Sequence, residues 1–225
     1  MTILARTYIG SVIALGTAIL IGCVAVDPHL PNTALFLQLL VLAILASTFK
    51  IRLPGMEGTI SLNFVVYLIA ISALTLTETI VMASVATLVQ TVWRAKKRPQ
   101  SLKALFNVAT LAVSVSGAQF AAQQIRQEQT QIPALVVAAI VMFVLNSWLV
   151  SLVVALTSGD SALRIWRNCN QWTFLYYLMG AGVSALVIAY GHVVGWEQAL
   201  AMLPATYLMY SYSNAYIAKA REAHA

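Results

Sequence analysis

Charge is what this sequence has least of. Only 9% of its 225 residues are Asp, Glu, Lys or Arg, 60% are hydrophobic, and the mean hydropathy is +0.84. A soluble globular domain carries about 25% charged residues, so that class is excluded and the chain reads as a polytopic integral membrane protein. Cysteine is nearly as scarce, and two residues, Cys23 and Cys169, build no disulfide framework. The three histidines fall in no His-x-x-x-His pattern, no Cys-x-x-Cys occurs, and no glycine-rich phosphate loop precedes a helix. Neither a metal nor another cofactor is therefore expected. The seven carboxylates stand at or beyond the ends of apolar runs, whereas an intramembrane enzyme keeps ionisable groups inside its helices. The expectation is a protein that is not an enzyme.

What charge there is has a pattern. The net charge of +6 would point to nucleic acid if it covered one soluble face, but these cations flank apolar segments, where they act as topology signals and lipid head-group contacts. The lipid bilayer is the expected partner, and nucleic acid is not. Five of the thirteen basic residues, Arg94, Lys96, Lys97, Arg98 and Lys103, lie in one stretch between long apolar runs. Cytoplasmic loops are enriched in Lys and Arg, so this stretch is placed inside.

Counting outward from it gives the spans. Tyr8 to Val26 and Ala34 to Phe49 are the first two, separated by the turn-rich Asp27-Pro28-His29-Leu30-Pro31-Asn32. Residues 51 to 63 carry Pro54, Gly55 and Gly58, then the alternating Thr59-Ile60-Ser61-Leu62, which predicts a turn and a short extended segment. Phe64 to Trp93 as one helix would be about 45 Å long, too long for a core of about 30 Å. Two helices meeting in a tight outer hairpin at Thr75-Leu76-Thr77-Glu78 fit better. Further spans are Ala104 to Gln124, Pro133 to Leu156, Trp172 to Val194, and Trp196 to about Tyr212, with a short amphipathic interfacial helix within Ser158 to Gln171 capped at Asp160 or Ser161. On this layout twelve of the thirteen basic residues fall inside, and Arg126 alone falls outside.

The predicted fold class is thus all-α: a polytopic transmembrane bundle of about eight membrane helices with a short interfacial helix and both termini cytoplasmic. Residues 1–213 form the transmembrane domain and 214–225 a cytoplasmic helical tail, rich in the strong helix formers Ala, Lys, Arg and Glu. A multi-pass protein of a bacterial inner membrane is expected. Leu20-Ile21-Gly22-Cys23 is similar to a lipobox, and the plainer reading is a first membrane helix holding a small buried Cys.

Within the spans the polar side chains are uncharged: Ser84, Thr87 and Gln90, then Asn107, Thr110, Ser114 and Gln119, and Asn146. Hydroxyl and amide groups serve interhelical packing, or they line a pocket for a small ligand. Asn146, Asn107, Gln119, Ser114 and Gln90 are the candidate ligand-binding residues. Asn146 leads them, because a primary amide in hydrocarbon needs partners. His29 and His192, with Asp27 and Glu197 nearby, allow an outer pH- or metal-sensing site, but two histidines in short loops by chance is the simpler account.

Three stretches together resemble a known family: Ile51-Arg52-Leu53-Pro54-Gly55 followed by Gly58-Thr59-Ile60-Ser61-Leu62, then Lys103-Ala104-Leu105-Phe106-Asn107-Val108-Ala109, and Leu203-Pro204-Ala205-Thr206-Tyr207-Leu208-Met209-Tyr210. They look like the N-terminal membrane-sensor region of bacterial proteins whose C-terminal part is an HD-GYP-type phosphohydrolase or a GGDEF diguanylate cyclase. The resemblance implies a sensor that passes a membrane or small-ligand signal to a cytoplasmic signalling enzyme, possible as a homodimer. In that family the last helix runs on through a charged linker into the cytosolic enzyme, whereas this sequence stops at Ala225. A weaker similarity is to substrate-binding membrane subunits of energy-coupling-factor vitamin transporters, which would imply an energising subunit as partner. Those typically have six helices, and their small-residue docking motif is matched here only loosely, by Ala104, Ala109 and Ala112.

Overall fold

Helix α1, Ile3–Val26, buries only Ala5, Ile9, Val12 and Gly16. Spaced four, three and four apart, they form a single stripe of a 3.6-residue helix. The rest of its apolar surface, Leu15, Ile21 and Val24 included, is exposed, as suits a helix whose outer face meets hydrocarbon rather than water. The computed structural model describes residues 2–48, 50–52, 59–61, 63–93, 101–125 and 131–194. These hold α1, α2 (Thr33–Thr48), α3 (Asn63–Ala73), α4 (Leu76–Val92), α5 (Ser101–Ile125), α6 (Ile132–Ser158) and α7 (Ala162–Val194), with strands β1 (Lys50–Arg52) and β2 (Thr59–Ser61) between α2 and α3. Three of the helices, α1, α5 and α6, are long and apolar enough to cross a membrane; α2, α3, α4 and the Tyr177–Gly191 part of α7 are shorter apolar helices.

Hydrogen bonds between helices fix their relative directions. Thr2 Oγ1 donates to the Leu156 carbonyl at 3.3 Å and Tyr8 Oη to the Leu149 carbonyl at 3.0 Å, which sets the start of α1 beside the end of α6. At the opposite end Thr77 Oγ1 donates to the Cys23 carbonyl at 3.1 Å, and Ser72 Oγ donates to Gln131 Oε1. The ends of α1 and α3 therefore meet the starts of α4 and α6, and successive helices alternate in direction.

At the centre stands α3. Every residue from Asn63 to Ile71 is buried, and the helix packs against α2, α4, α5, α6 and α7. Eleven residues make it about 16 Å long, half a bilayer core. Phe64–Trp93 is accordingly not one helix: the chain breaks at Leu74–Thr75 and folds back, so that Tyr67 Oη lies 3.5 Å from Thr87 Oγ1.

Glycine sets two close approaches. A Cβ at Gly16 would fall 2.5 Å from Ala109 Cα, so α1 and α5 touch backbone to backbone, and a Cβ at Gly180 would fall 1.8 Å from Phe64 Cε2. Helix α6 takes Pro133 in its first turn and ends at Gly159, whose φ of 82° is the left-handed cap that favours glycine.

The expected extended segment is found with a partner, and one expectation changes. The extended segment at 59–61 is a strand, paired antiparallel with 50–52 in the register Lys50↔Ser61, Ile51↔Ile60, Arg52↔Thr59, so the described residues are helical apart from this short ladder. The interfacial helix is not a separate element: α7 is continuous from Ala162 to Val194. Gly159, Asp160 and Ser161 form the break before it, and no proline lies between them and Val194 to stop the helix. The basic stretch 94–100, the outer loop 126–130, the span from Trp196 and the tail 214–225 lie outside the described residues.

Candidate functional site

A half-length helix inside a bundle has two ends to satisfy without water. The C-terminal end of α3 does this through the break itself. The Leu74 carbonyl accepts from Gln119 Nε2 of α5 at 3.2 Å, and the Ala70 carbonyl from Thr79 Oγ1 at 3.3 Å. The next helix then starts with a capping box: Thr75 Oγ1 accepts from the Glu78 N–H at 3.3 Å, while Glu78 Oε2 accepts from the Thr75 N–H at 2.9 Å and from its hydroxyl at 3.1 Å.

Glu78 does more than cap. Its other oxygen, Oε1, accepts from the Asn32 N–H at 3.3 Å, reaching the turn between α1 and α2. Its side chain is 0% exposed, although the sequence places it at a segment end like the other carboxylates. Three neutral donors surround the carboxylate, which also sits at the N-terminus of α4, where the helix dipole favours negative charge. Gln119 and Glu78 grip one peptide unit from its two sides, Gln119 at the Leu74 C=O and Glu78 at the Thr75 N–H. Gln119 is 2% exposed, and its Oε1 has no hydrogen-bond partner. Sequence reasoning named Gln119 and missed Glu78; the Thr75-x-x-Glu78 spacing was the available signal.

The other candidates are dispersed. Asn107 Nδ2 donates to Thr91 Oγ1 at 3.4 Å, toward the far ends of α4 and α5, and Gln90, half-buried, precedes Thr91 in sequence. Ser114 is buried and returns its hydroxyl to the Thr110 carbonyl of its own helix at 2.7 Å. Asn146 is half-buried and donates to Tyr177 Oη at 3.4 Å, in an aromatic cluster where the Tyr177 ring lies 4.9 Å from Phe64 and 5.4 Å from Phe143. These side chains occupy separate helix seams rather than one wall. Ser84 Oγ, Thr110 Oγ1 and Asn63 Oδ1 are buried without a partner, and Asn63 Nδ2 donates to Ser47 Oγ at 2.7 Å. A small cleft of about 20 Å³, room for one water, lies at the α3, α5 and α6 ends between Ser72, Gln123 and Gln131. Among the described residues no three His, Cys, Asp or Glu side chains gather as metal ligands.

A family model, MASE9, a membrane-associated sensor domain family, matches residues 19–216. The chain belongs to the MASE9 family. The match runs from within α1 through the whole described bundle, so the α3–α4 break and its Glu78 cap lie inside the MASE9 domain. Membership places the chain among membrane-associated sensors, in keeping with its three long apolar helices. No curated protein and no solved structure matches it.

Proposed function

We propose that this chain is a non-enzymatic sensor module of a bacterial inner membrane that crosses the bilayer several times, has both termini in the cytoplasm, and relays a membrane or small-ligand signal to a cytoplasmic output domain or partner. Membership of the MASE9 family carries the reading. Its orientation draws support from the alternating helix directions together with the twelve basic residues that the predicted layout puts on one side. The non-enzymatic part is supported by the described core, whose buried charged residue, Glu78, is engaged in capping α4 and holding the Asn32 turn. Nothing among the described residues favours the transporter-subunit alternative over the sensor.

The test is a fusion of a diguanylate cyclase or phosphohydrolase after Ala225, with one to four residues inserted at Lys219, outside the described residues. A helix transmits displacement where a flexible linker absorbs it. Output that follows the helical phase of the insertion supports relay, and output indifferent to insert length refutes it.

A further inference from the structure

We propose that Glu78 is a proton-released latch, which as a carboxylate holds the turn between α1 and α2 against the α3–α4 break and when protonated lets it go. Two contacts demand an acceptor, Asn32 N–H on Oε1 and Thr75 N–H on Oε2, while the Thr75 hydroxyl, which also meets Oε2, can donate or accept. A carboxylate supplies acceptors alone, while a carboxylic acid turns one oxygen into a donor. Oε1 meets one donor and Oε2 two, so the proton adds at Oε1 and sets O–H against the Asn32 N–H. The proton adds to one carboxylate lone pair, no other bond forms or breaks, and the group becomes neutral.

The contact that yields is the longer one, to Asn32, because the Thr75 pair belongs to the α4 cap and is joined by the reverse bond from the Glu78 N–H. Thr77 Oγ1 on the Cys23 carbonyl is then left as the polar tie between this corner and α1. The described titratable groups at this end are Cys23, Asp27 and His29, on α1 and the turn after it. Helix α2 brings none, Tyr67 of α3 bonds nine residues further along α4 at Thr87, Lys103 of α5 stands at the other end, and α5 presents the neutral Gln119 here. On the proposed topology this corner faces the outside, so external acidification is the signal to which the latch answers. The latch stands independently of the relay.

The experiment uses the whole protein in lipid nanodiscs across a pH series. Infrared difference spectra report the Glu78 carboxyl band, assigned by its loss in Glu78→Gln, and hydrogen exchange, corrected for the intrinsic pH dependence, is followed in segments 28–36 and 73–79. In the wild type, exchange near Asn32 rises about ten- to hundredfold as the carboxyl band appears, the loss of one hydrogen bond to a charged acceptor. In Glu78→Gln it is already fast at neutral pH and flat with pH. Asn32→Pro removes that N–H together with the Asn side chain, just before α2 begins at Thr33, and Thr75 stays protected in it. Should Glu78→Gln fail to fold, the wild-type titration and Asn32→Pro still decide. A carboxyl band that never appears, or exchange that stays flat while it does, overturns the latch. An opening latch with no change in a fused cyclase's output would instead count against the relay.

Discussion

Replacing Gly16 by Ala adds one methyl group where α1 and α5 touch backbone to backbone. The new Cβ would lie 2.5 Å from Ala109 Cα, 2.6 Å from its Cβ and 2.7 Å from its carbonyl oxygen. Carbon atoms in contact prefer about 3.5–4.0 Å, so α1 and α5 must part by about 1 Å along the crossing. That loosens the Ile9, Val12, Phe106 and Ala109 cluster and strains the Tyr8 bond to the Leu149 carbonyl. Overpacking of this kind costs about 1–3 kcal/mol, and the better helix propensity of Ala returns up to about 1 kcal/mol. The net expectation is a loss of about 1–2 kcal/mol, a fall in melting temperature of roughly 5 °C for a chain of this size. The assay is a thermal melt of purified protein in detergent beside Gly10→Ala and Gly22→Ala, where a Cβ meets nothing within 4 Å and stability should hold or rise. Because the obstacle is mainly backbone, Ala109→Gly should not rescue Gly16→Ala. A variant as stable as wild type, or full rescue by Ala109→Gly, would refute the close crossing.

At Gly180 the obstacle is a side chain, the Phe64 ring, so Gly180→Ala should lower the melting temperature more than Gly16→Ala does, and Phe64→Leu in the same molecule should recover part of the loss; no recovery means the contact is misplaced. Gln119→Leu leaves the Leu74 carbonyl without its donor and should cost about 1–2 kcal/mol, read in the same melt, whereas a gain would mean that the carbonyl has another partner. Asn146→Leu removes a long bond from a half-buried group and should change stability by less than about 1 kcal/mol. If Asn146 senses a ligand, output of the fused cyclase falls while the melt stays put, and equal loss of both assigns it to packing.

The break in Phe64–Trp93 was legible because its length exceeds a bilayer and Thr75-Leu76-Thr77-Glu78 interrupts it. The burial of Glu78 was not, since it depends on the turn before α2 folding over the start of α4, a contact 46 residues apart. Gln119 could be named as a buried amide, but its partner is a backbone carbonyl at a helix end, which no side-chain pattern announces. The interfacial helix expected within Ser158 to Gln171 was to end before the span from Trp172, yet no proline or glycine stands between Ala162 and Trp172 to stop the backbone, and α7 runs through. Thr59-Ile60-Ser61 showed its extended character by alternation; its partner, Lys50–Arg52, sits directly after an apolar span and carried no strand signal of its own.

Sensing and relay both depend on which way the alternating helices cross the bilayer. Single cysteines at Lys97, Ser161 and Gln127 in a background lacking Cys23 and Cys169, treated in intact cells with a thiol reagent that cannot enter, test it directly. Labelling is expected at Gln127 and none at Lys97 or Ser161. Labelling at Lys97 from outside would contradict the proposed topology by inverting it.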